Sequence, residues 1–333
     1  MTPATIKAPK TGTIPCEFDI AKYVQRLGRF HVEQRLNIQA YHAADILGPG
    51  LMHIHIENML WLHLLLKSVL QCCGVYGRGH RNTGRFVIQH NTVMLPDLPA
   101  ALEGVTLLHL TDMHADFSTD AMTALIRTLD GLAWDACVWT GDYRGLTYGP
   151  WEPAAAELRR IREALRGPVY AVLGNHDPLE LADALEDMDV RLLLNERAAF
   201  ERGGARLWFA GVDDPHIYET DNIEKAVDGV LEGEPVVLLS HSPELYRKAA
   251  YGGIELMLCG HTHGGQLCLP GGWPVFANAR VPPRLVRGAW RYRQLQGYTS
   301  RGCGVSGVAC RYFCPPEIVL HHLCRAPDRP GGA

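Results

Sequence analysis

The stretch that most constrains this chain is Cys259-Gly260-His261-Thr262-His263-Gly264-Gly265-Gln266, set directly behind the apolar run Ile254 to Leu258. An apolar run that ends in glycines reads as a strand passing into a tight loop. In extended backbone, residues two apart point the same way about 6.6 Å apart, so His261 and His263 can lean onto two metal ions about 3.5 to 4 Å from each other. The flanking glycines let backbone and ligands crowd such a centre. Taken alone, the motif also fits a polar turn that happens to carry two histidines. The choice depends on what the rest of the chain brings to it.

Partners are available at regular places. From Arg85 onward, short apolar runs alternate with helical patterns. Phe86 to Leu95 alternates like an edge strand and stops at Pro96-Asp97-Leu98-Pro99. Val105 to Leu110 runs into Thr111-Asp112-Met113-His114. Ser118 or Thr119 caps a helix with Met122, Leu125, Ile126 and Leu129 on one face, closed by Gly131. Ala136 to Thr140 ends in Gly141-Asp142, and Pro153 leads a helix through Leu158, Ile161 and Leu165 to Gly167. Val169 to Leu173 ends in Gly174-Asn175-His176-Asp177. A helix from Pro178, strands between Val190 and Val212, a helix after Asp221 and the strand Val236 to Leu239 follow, the last ending in Ser240-His241-Ser242. Past Gln266, strands are expected around Tyr298 to Ser300, Ala309 to Phe313 and Ile318 to His322. The residues able to do chemistry thus sit where apolar strands end, and in open α/β sheets such ends share one crevice.

The residue types suit a metal pair. Asp112 and His114, two apart on an extended strand exit, can chelate one ion. The Asp142 carboxylate has two oxygens and can span two ions, while Asn175 offers a neutral oxygen that adds no charge. Two divalent ions carry about +4, and two aspartates with a hydroxide remove about 3, which leaves a centre attractive to phosphate.

The five strand-end motifs, Asp112-Met-His114, Gly141-Asp142, Gly174-Asn175-His176-Asp177, His241 and Gly260-His261-Thr-His263, resemble in content and order those of the calcineurin-like metallophosphoesterase superfamily. The resemblance spans about Leu95 to His322. Its tail, Ser300-Arg301-Gly302 through Cys314-Pro315-Pro316-Glu317-Ile318, is similar to the bacterial branch of membrane-associated phosphoesterases and some UDP-2,3-diacylglucosamine pyrophosphatases. The resemblance implies an α/β (α+β) four-layer sandwich of two mixed sheets flanked by helices. It further implies that Asp112, His114 and His263 hold one metal, that Asn175, His241 and His261 hold the other, and that Asp142 bridges them. A metal-bridging hydroxide would then attack phosphorus in line, with His176 protonating the leaving oxygen and Asp177 orienting or tuning that imidazole. Manganese is the expected metal, with iron or zinc also compatible with such ligands. Rival readings are a soluble phosphodiesterase or nucleotide hydrolase, and a metal-bound binding subunit without catalysis.

Composition sets the surroundings. A hydrophobic content of 47% with 20% charged residues is that of a globular chain, and a formal net charge of −4 gives no footprint for nucleic acid. Ten scattered cysteines without paired spacings fit a reducing compartment. The N-terminus lacks the features of a signal peptide, and a cytoplasmic location, at the inner membrane face if the helix over 51–72 touches lipid, is expected. Three divisions follow: residues 1–85 as an N-terminal helical attachment, 86–325 as the metallophosphoesterase domain, and 326–333 as a disordered tail. In the attachment, Asp19 caps a helix carrying Ile20, Tyr23, Val24 and Leu27, and a second helix covers 51–72. His53, His55, Glu57, Asn58, His63 and Lys67 interrupt it too often for a membrane span. It either packs on the main domain or a partner subunit, or dips into a membrane interface with Arg78, Arg81 and Arg85 toward anionic headgroups.

Two features bear on a phosphorylated small-molecule or lipid substrate. Arg280, Arg284, Arg287, Arg291, Arg293 and Arg301 are interleaved with Trp290, Tyr292 and Tyr298 without an acidic residue among them. Guanidinium groups suit a diphosphate or anionic headgroup, and Arg284, Arg287 and Arg291 are the candidates, unless the loop is simply solvated. Arg144, directly behind Asp142-Tyr143, either reaches a substrate phosphate or forms a surface ion pair.

Overall fold

The computed structural model describes residues 18–44 and 60–326. Asp19 accepts the Lys22 amide and opens α1 (Ile20–Leu27), which turns at Gly28 into α2 (Arg29–Ala44). Of the helix expected over 51–72, residues 51–59 lie outside the described residues; the remainder is α3 (Leu60–Cys72), followed by the short α4 (Tyr76–Asn82).

The alternating segment behind them is β1 (Val87–Leu95). Next come β2 (Thr106–Leu110), α5 (Thr119–Leu129) with Ser118 accepting the Ala121 amide, and β3 (Ala136–Trp139). Pro153 stands in the first turn of α6 (Glu152–Ala164), and β4 (Val169–Ala171), α7 (Leu181–Glu186) and β5 (Val190–Leu192) follow. The second half runs β6 (Glu196–Arg202), β7 (Ala205–Gly211), α8 (Ile223–Val227), β8 (Val236–Leu239), α9 (Tyr246–Tyr251) and β9 (Leu256–Cys259). After it come the hairpin β10 (Cys268–Leu269) and β11 (Trp273–Pro274), then β12 (Gly288–Tyr292), β13 (Leu295–Thr299) and β14 (Glu317–Arg325).

Two six-stranded mixed sheets result, ordered β1-β14-β2-β3-β4-β5 and β12-β13-β9-β8-β7-β6. In each, a parallel group carries the strands whose ends bear chemistry: β2 to β5 in the first, β13, β9, β8 and β7 in the second. The inner faces meet in one apolar layer, Leu107, Val138, Tyr170 and Val172 against Leu207, Phe209, Val237, Leu239 and Leu258. The outer face of the first sheet is covered by α5, α6 and α7 together with Tyr23, Leu27 and Val32 of α1 and α2, and that of the second by Ala226, Tyr246, Ala249 and Ala250 of α8 and α9. Helix, sheet, sheet, helix is the four-layer sandwich expected.

The expected strand over 309–313 is not formed. Its backbone groups are already taken: Arg311 donates its amide to Gly79 O (3.0 Å) and its carbonyl accepts from Asn82 Nδ2 (2.9 Å), so α4 binds this loop where a strand neighbour would have been. One isolated bridge joins Tyr312 to Leu267.

Candidate metal centre

The strand ends converge because their exits are stitched to one another. Asp112 N donates to Gly141 O (2.9 Å) and His114 N to Asp142 O (3.1 Å), joining the β2 and β3 exits; Gly260 N donates to His241 O (2.8 Å), joining those of β8 and β9; and His261 N donates to Asp112 Oδ1 (3.0 Å), tying the two sheets together. Asp112, His114, Asp142, His261 and His263 all adopt left-handed backbone, with φ between 38° and 71°. Such conformations cost on the order of 1–3 kcal/mol each outside glycine and persist where surrounding structure over-determines them, commonly at functional sites. Two glycines are required by space: a Cβ on Gly174 would overlap the Asp142 carboxylate, and one on Gly260 would overlap Asp112 and Thr111.

The side chains form overlapping groups. Asp112, His114 and His263 lie together, with His114 Nε2 3.0 Å from His263 Nε2 and His263 Nε2 3.4 Å from Asp112 Oδ1. Asp142, His241 and His261 form a second group, with His261 Nδ1 3.2 Å from His241 Nε2 and Asn175 Oδ1 3.0 Å from the same nitrogen. Asp142 Oδ2 lies between, 3.2 Å from His241 Nε2, 3.8 Å from His114 Nε2 and 3.9 Å from His176 Nε2.

His114 Nδ1 donates to Arg144 O (2.8 Å) and His241 Nδ1 to Thr140 O (2.7 Å), so both present Nε2 lone pairs inward. Lone pairs of imidazoles, two carboxylates and an amide oxygen thus crowd a buried space, an acceptor-rich set suited to cations. The electrostatics agree. Burial pushes Asp112 up to about 6, with His241 opposing the rise and Asp142 adding to it. Burial would raise Asp142 too, but the His241 and His176 imidazoles hold it well below the usual carboxylate range. Burial lowers His241, yet Asp142 and Asp112 carry it to about 10. Protons stand where cations would, and metal binding at such a site releases them. The residues present therefore fit a pair of divalent ions.

His176 sits in the same group as His114 and Asp142. Its amide donates to Asp142 Oδ1 (3.0 Å) and its Nδ1 to Gly145 O (2.8 Å), which turns Nε2 toward the centre. Asp177 was expected to orient this imidazole, but its carboxylate instead accepts the amides of Asp142, Tyr143 and Gly174 (2.8 Å each) and of Arg144 (3.3 Å). A fully buried carboxylate takes the nearest donors, and here those are the backbone of the loop carrying Asp142. Arg144 is buried as well and donates to His176 O (3.0 Å) and Gly149 O (2.7 Å), holding the acid loop rather than lying at the surface.

The arginine candidates separate. Gly288 pairs with Thr299 at the site end of β12 and β13, so Arg287 stands at that end, against Gly272. Arg291 pairs with Gln296, three residues or about 10 Å further away. Arg284 is exposed in the turn before β12. Three residues escaped sequence reasoning. Arg311 is buried on the carbonyls of Arg301, Gly304 and Cys314, with Nη2 3.4 Å from His263 Nδ1. His216 stacks its ring 4.1 Å from that of His261 and meets Glu244 at 3.0 Å. Arg35 of α2 donates to Asp177 O (2.8 Å) from the far side. Only an arginine standing among apolar and cysteine neighbours, as at Arg311, hinted at any of these.

A two-sheet sandwich with a buried His/Asp/Asn centre at its strand ends defines a metallohydrolase. Residues 105–265 match the family model of the calcineurin-like phosphoesterases, and with this domain the chain is a metal-dependent phosphoester hydrolase. It is similar to the uncharacterized metallophosphoesterase YkoQ of Bacillus subtilis, 25% identical over 78% of this chain and 98% of that one. An uncharacterized metallophosphoesterase of Helicobacter pylori is 25% identical over 80% of this chain and 75% of its own. A bovine transmembrane protein with metallophosphoesterase domain is 29% identical over 69% of this chain, which spans 55% of that relative's length. Among the described residues no helix is long and apolar enough to cross a membrane.

Proposed function

We propose that this centre hydrolyses a phosphoester or diphosphate bond of a lipid-linked substrate, with Asp112, His114 and His263 holding one ion, Asn175, His241 and His261 a second, and Asp142 shared. The observation that carries the ligand assignment is the position of Asp142 Oδ2, within 3.8 Å of a histidine from each group. Two divalent ions there, manganese by preference given the mixed imidazole, carboxylate and amide set, would supply Lewis-acid polarisation of the phosphoryl oxygens and a water activated at neutral pH. The chain's own residues do the rest. Asp177 and the amides it gathers hold Asp142 in place. Gly145 O accepts a hydrogen bond from His176 Nδ1–H, which leaves Nε2 facing inward, where a proton that it carries can be given to the leaving oxygen. Arg144 fixes the carbonyl of that residue and keeps the ring from turning away.

The lipid reading draws support from the basic stretch around Arg287 and from α3, whose Leu64, Leu65 and Val69 face outward, so residues 51–72 are proposed to meet a membrane at its inner face. A diphosphate-bearing lipid precursor is the substrate that both features suit.

Metal-stripped protein refilled with Mn²⁺, Zn²⁺, Fe²⁺ or Mg²⁺ should release p-nitrophenol from its bis ester or monoester. Asp142→Asn and His176→Ala should each lower turnover by about a hundredfold or more. Turnover that survives Asp142→Asn, or that needs no metal, would sink the assignment. Hydrolysis of nucleotides in preference to lipid diphosphates would retire the lipid substrate while leaving the centre intact.

A further inference from the structure

Near the centre, large apolar side chains stand out into solvent on one short stretch. Trp273 is 71% exposed, Val275 69%, Leu269 58% and Phe276 54%, all on or next to the β10–β11 hairpin. Phe313 joins them at 52%, and is brought alongside because Cys268 N donates to Tyr312 O (2.9 Å). Large apolar residues grouped outside the core mark an interaction surface, whereas scattered ones need no explanation.

The hairpin is rooted in the site. Pro274 packs directly over Gly265, two residues past His263, and the turn at Gly272 rests on the Arg287 guanidinium. The segment that carries the hairpin has charge of one sign: between Glu255 and Glu317 the chain has seven arginines and no aspartate or glutamate. Arg301 is paired with Glu317, Arg311 is buried on carbonyls, and Arg291 and Arg293 stand toward the far end of β12, so the positive charge beside the hairpin is carried by Arg287, against Gly272, and by Arg284 in the exposed turn before β12.

We propose that the β10–β11 hairpin with Phe313 is a membrane-docking surface whose partner is an anionic lipid bilayer. Tryptophan, phenylalanine, leucine and valine at the tip enter the headgroup–acyl boundary, and the arginines beside them meet the phosphates of the lipids. Charge complementarity selects this occupant: a second copy packed on the same face would set arginines against arginines. The surface orients the protein. His176, His261 and His263, each 5–6% exposed, are the members of the centre nearest to solvent, and a bilayer under the hairpin lies beside His263. The proposal rests on the lipid-substrate reading for its purpose, and its measurement needs no turnover.

Full-length protein is sedimented with vesicles of phosphatidylglycerol and phosphatidylcholine in equal parts, and with phosphatidylcholine alone. Binding is expected to the anionic vesicles, weakened by salt, and Trp273→Ala/Phe276→Ala should reduce partitioning roughly tenfold or more. Unchanged turnover of a soluble ester by the double variant shows that its fold is kept. Three results would overturn the proposal: no binding to either vesicle, a double variant that sediments like wild type, or loss of binding only on Leu65→Gln/Val69→Gln. A fourth would be a dimer that the double variant breaks, which would make the face a self-association surface. Docking without any hydrolysis in metal-refilled protein would leave the surface standing and remove the enzymatic reading.

Discussion

The two helical pairs ahead of β1 are neighbours in sequence but attach by opposite physics. The α1–α2 pair is held by charge: Arg26 meets Glu186 (2.6 Å) and Glu196 (2.7 Å), Lys22 and Tyr23 share Asp183 (2.5 and 2.8 Å), and fully buried Arg35 pairs with Asp213 while donating to Asp177 O. The α3–α4 pair is held by backbone and small contacts on the 307–312 loop, with His63 against Gly307 and Gly79 N on the Tyr312 hydroxyl (3.1 Å), while Leu64, Leu65 and Val69 face out. The first pair is built into the catalytic layer, since Asp177 anchors the loop of Asp142. Among the described residues the second reaches the centre through Arg311, whose amide donates to Gly79 O and whose Nη2 lies 3.4 Å from His263 Nδ1. A segment that reads as one attachment in sequence therefore has one part that stabilises the site and one that leaves a surface available.

The largest test of that contrast is Arg35→Met. Removing one partner of a buried pair leaves the Asp213 carboxylate to His31 and the Thr220 hydroxyl, and about 3–5 kcal/mol of stability should be lost in denaturant titration, with turnover falling as Asp177 loses support. A loss near zero would mean that α2 merely lies on the domain.

A smaller effect follows from pH. Burial would raise Asp213, but Arg35 and His31 hold it below the usual carboxylate range. A depressed folded value contributes stability that is present above the unfolded value of about 3.9 and is lost as pH falls through the folded one. Asp213→Asn should therefore cost most at pH 7, with the gap from wild type narrowing in acid. A gap that widens as pH falls would reverse the assignment.

The smallest expected effect sharpens the other side. Leu65→Gln/Val69→Gln should change stability by no more than about 0.5 kcal/mol for each substitution, as at surface positions. A loss of several kcal/mol, measured by the same titration, would show that this face is covered in the folded protein and that the two pairs differ less than their contacts indicate.

Much of the centre was legible because its signals are local. An apolar run followed by Gly-Asp, Asp-x-His, Asn-His-Asp or Gly-His-x-His marks a strand end and a ligand type at once, and eight such residues, Asp112, His114, Asp142, Asn175, His176, His241, His261 and His263, do meet. The helices capped by Asp19 and Ser118 were legible for the same reason. The strand over 309–313 was misread because its β-like composition said nothing of α4, some 230 residues earlier, which takes its backbone groups.

By itself, then, the sequence determined which residues stand at the ends of which strands and what chemistry their side chains can do, since period and turn composition act over a few residues. The tertiary structure alone decided what the buried charges do. Asp177 gathers amides instead of tuning His176, Arg144 holds a carbonyl, Arg35 braces the site from α2, and Arg291 stands away from it. A buried charge must be satisfied by whatever donor or acceptor the fold brings within about 3 Å, and that partner leaves no trace in the local pattern.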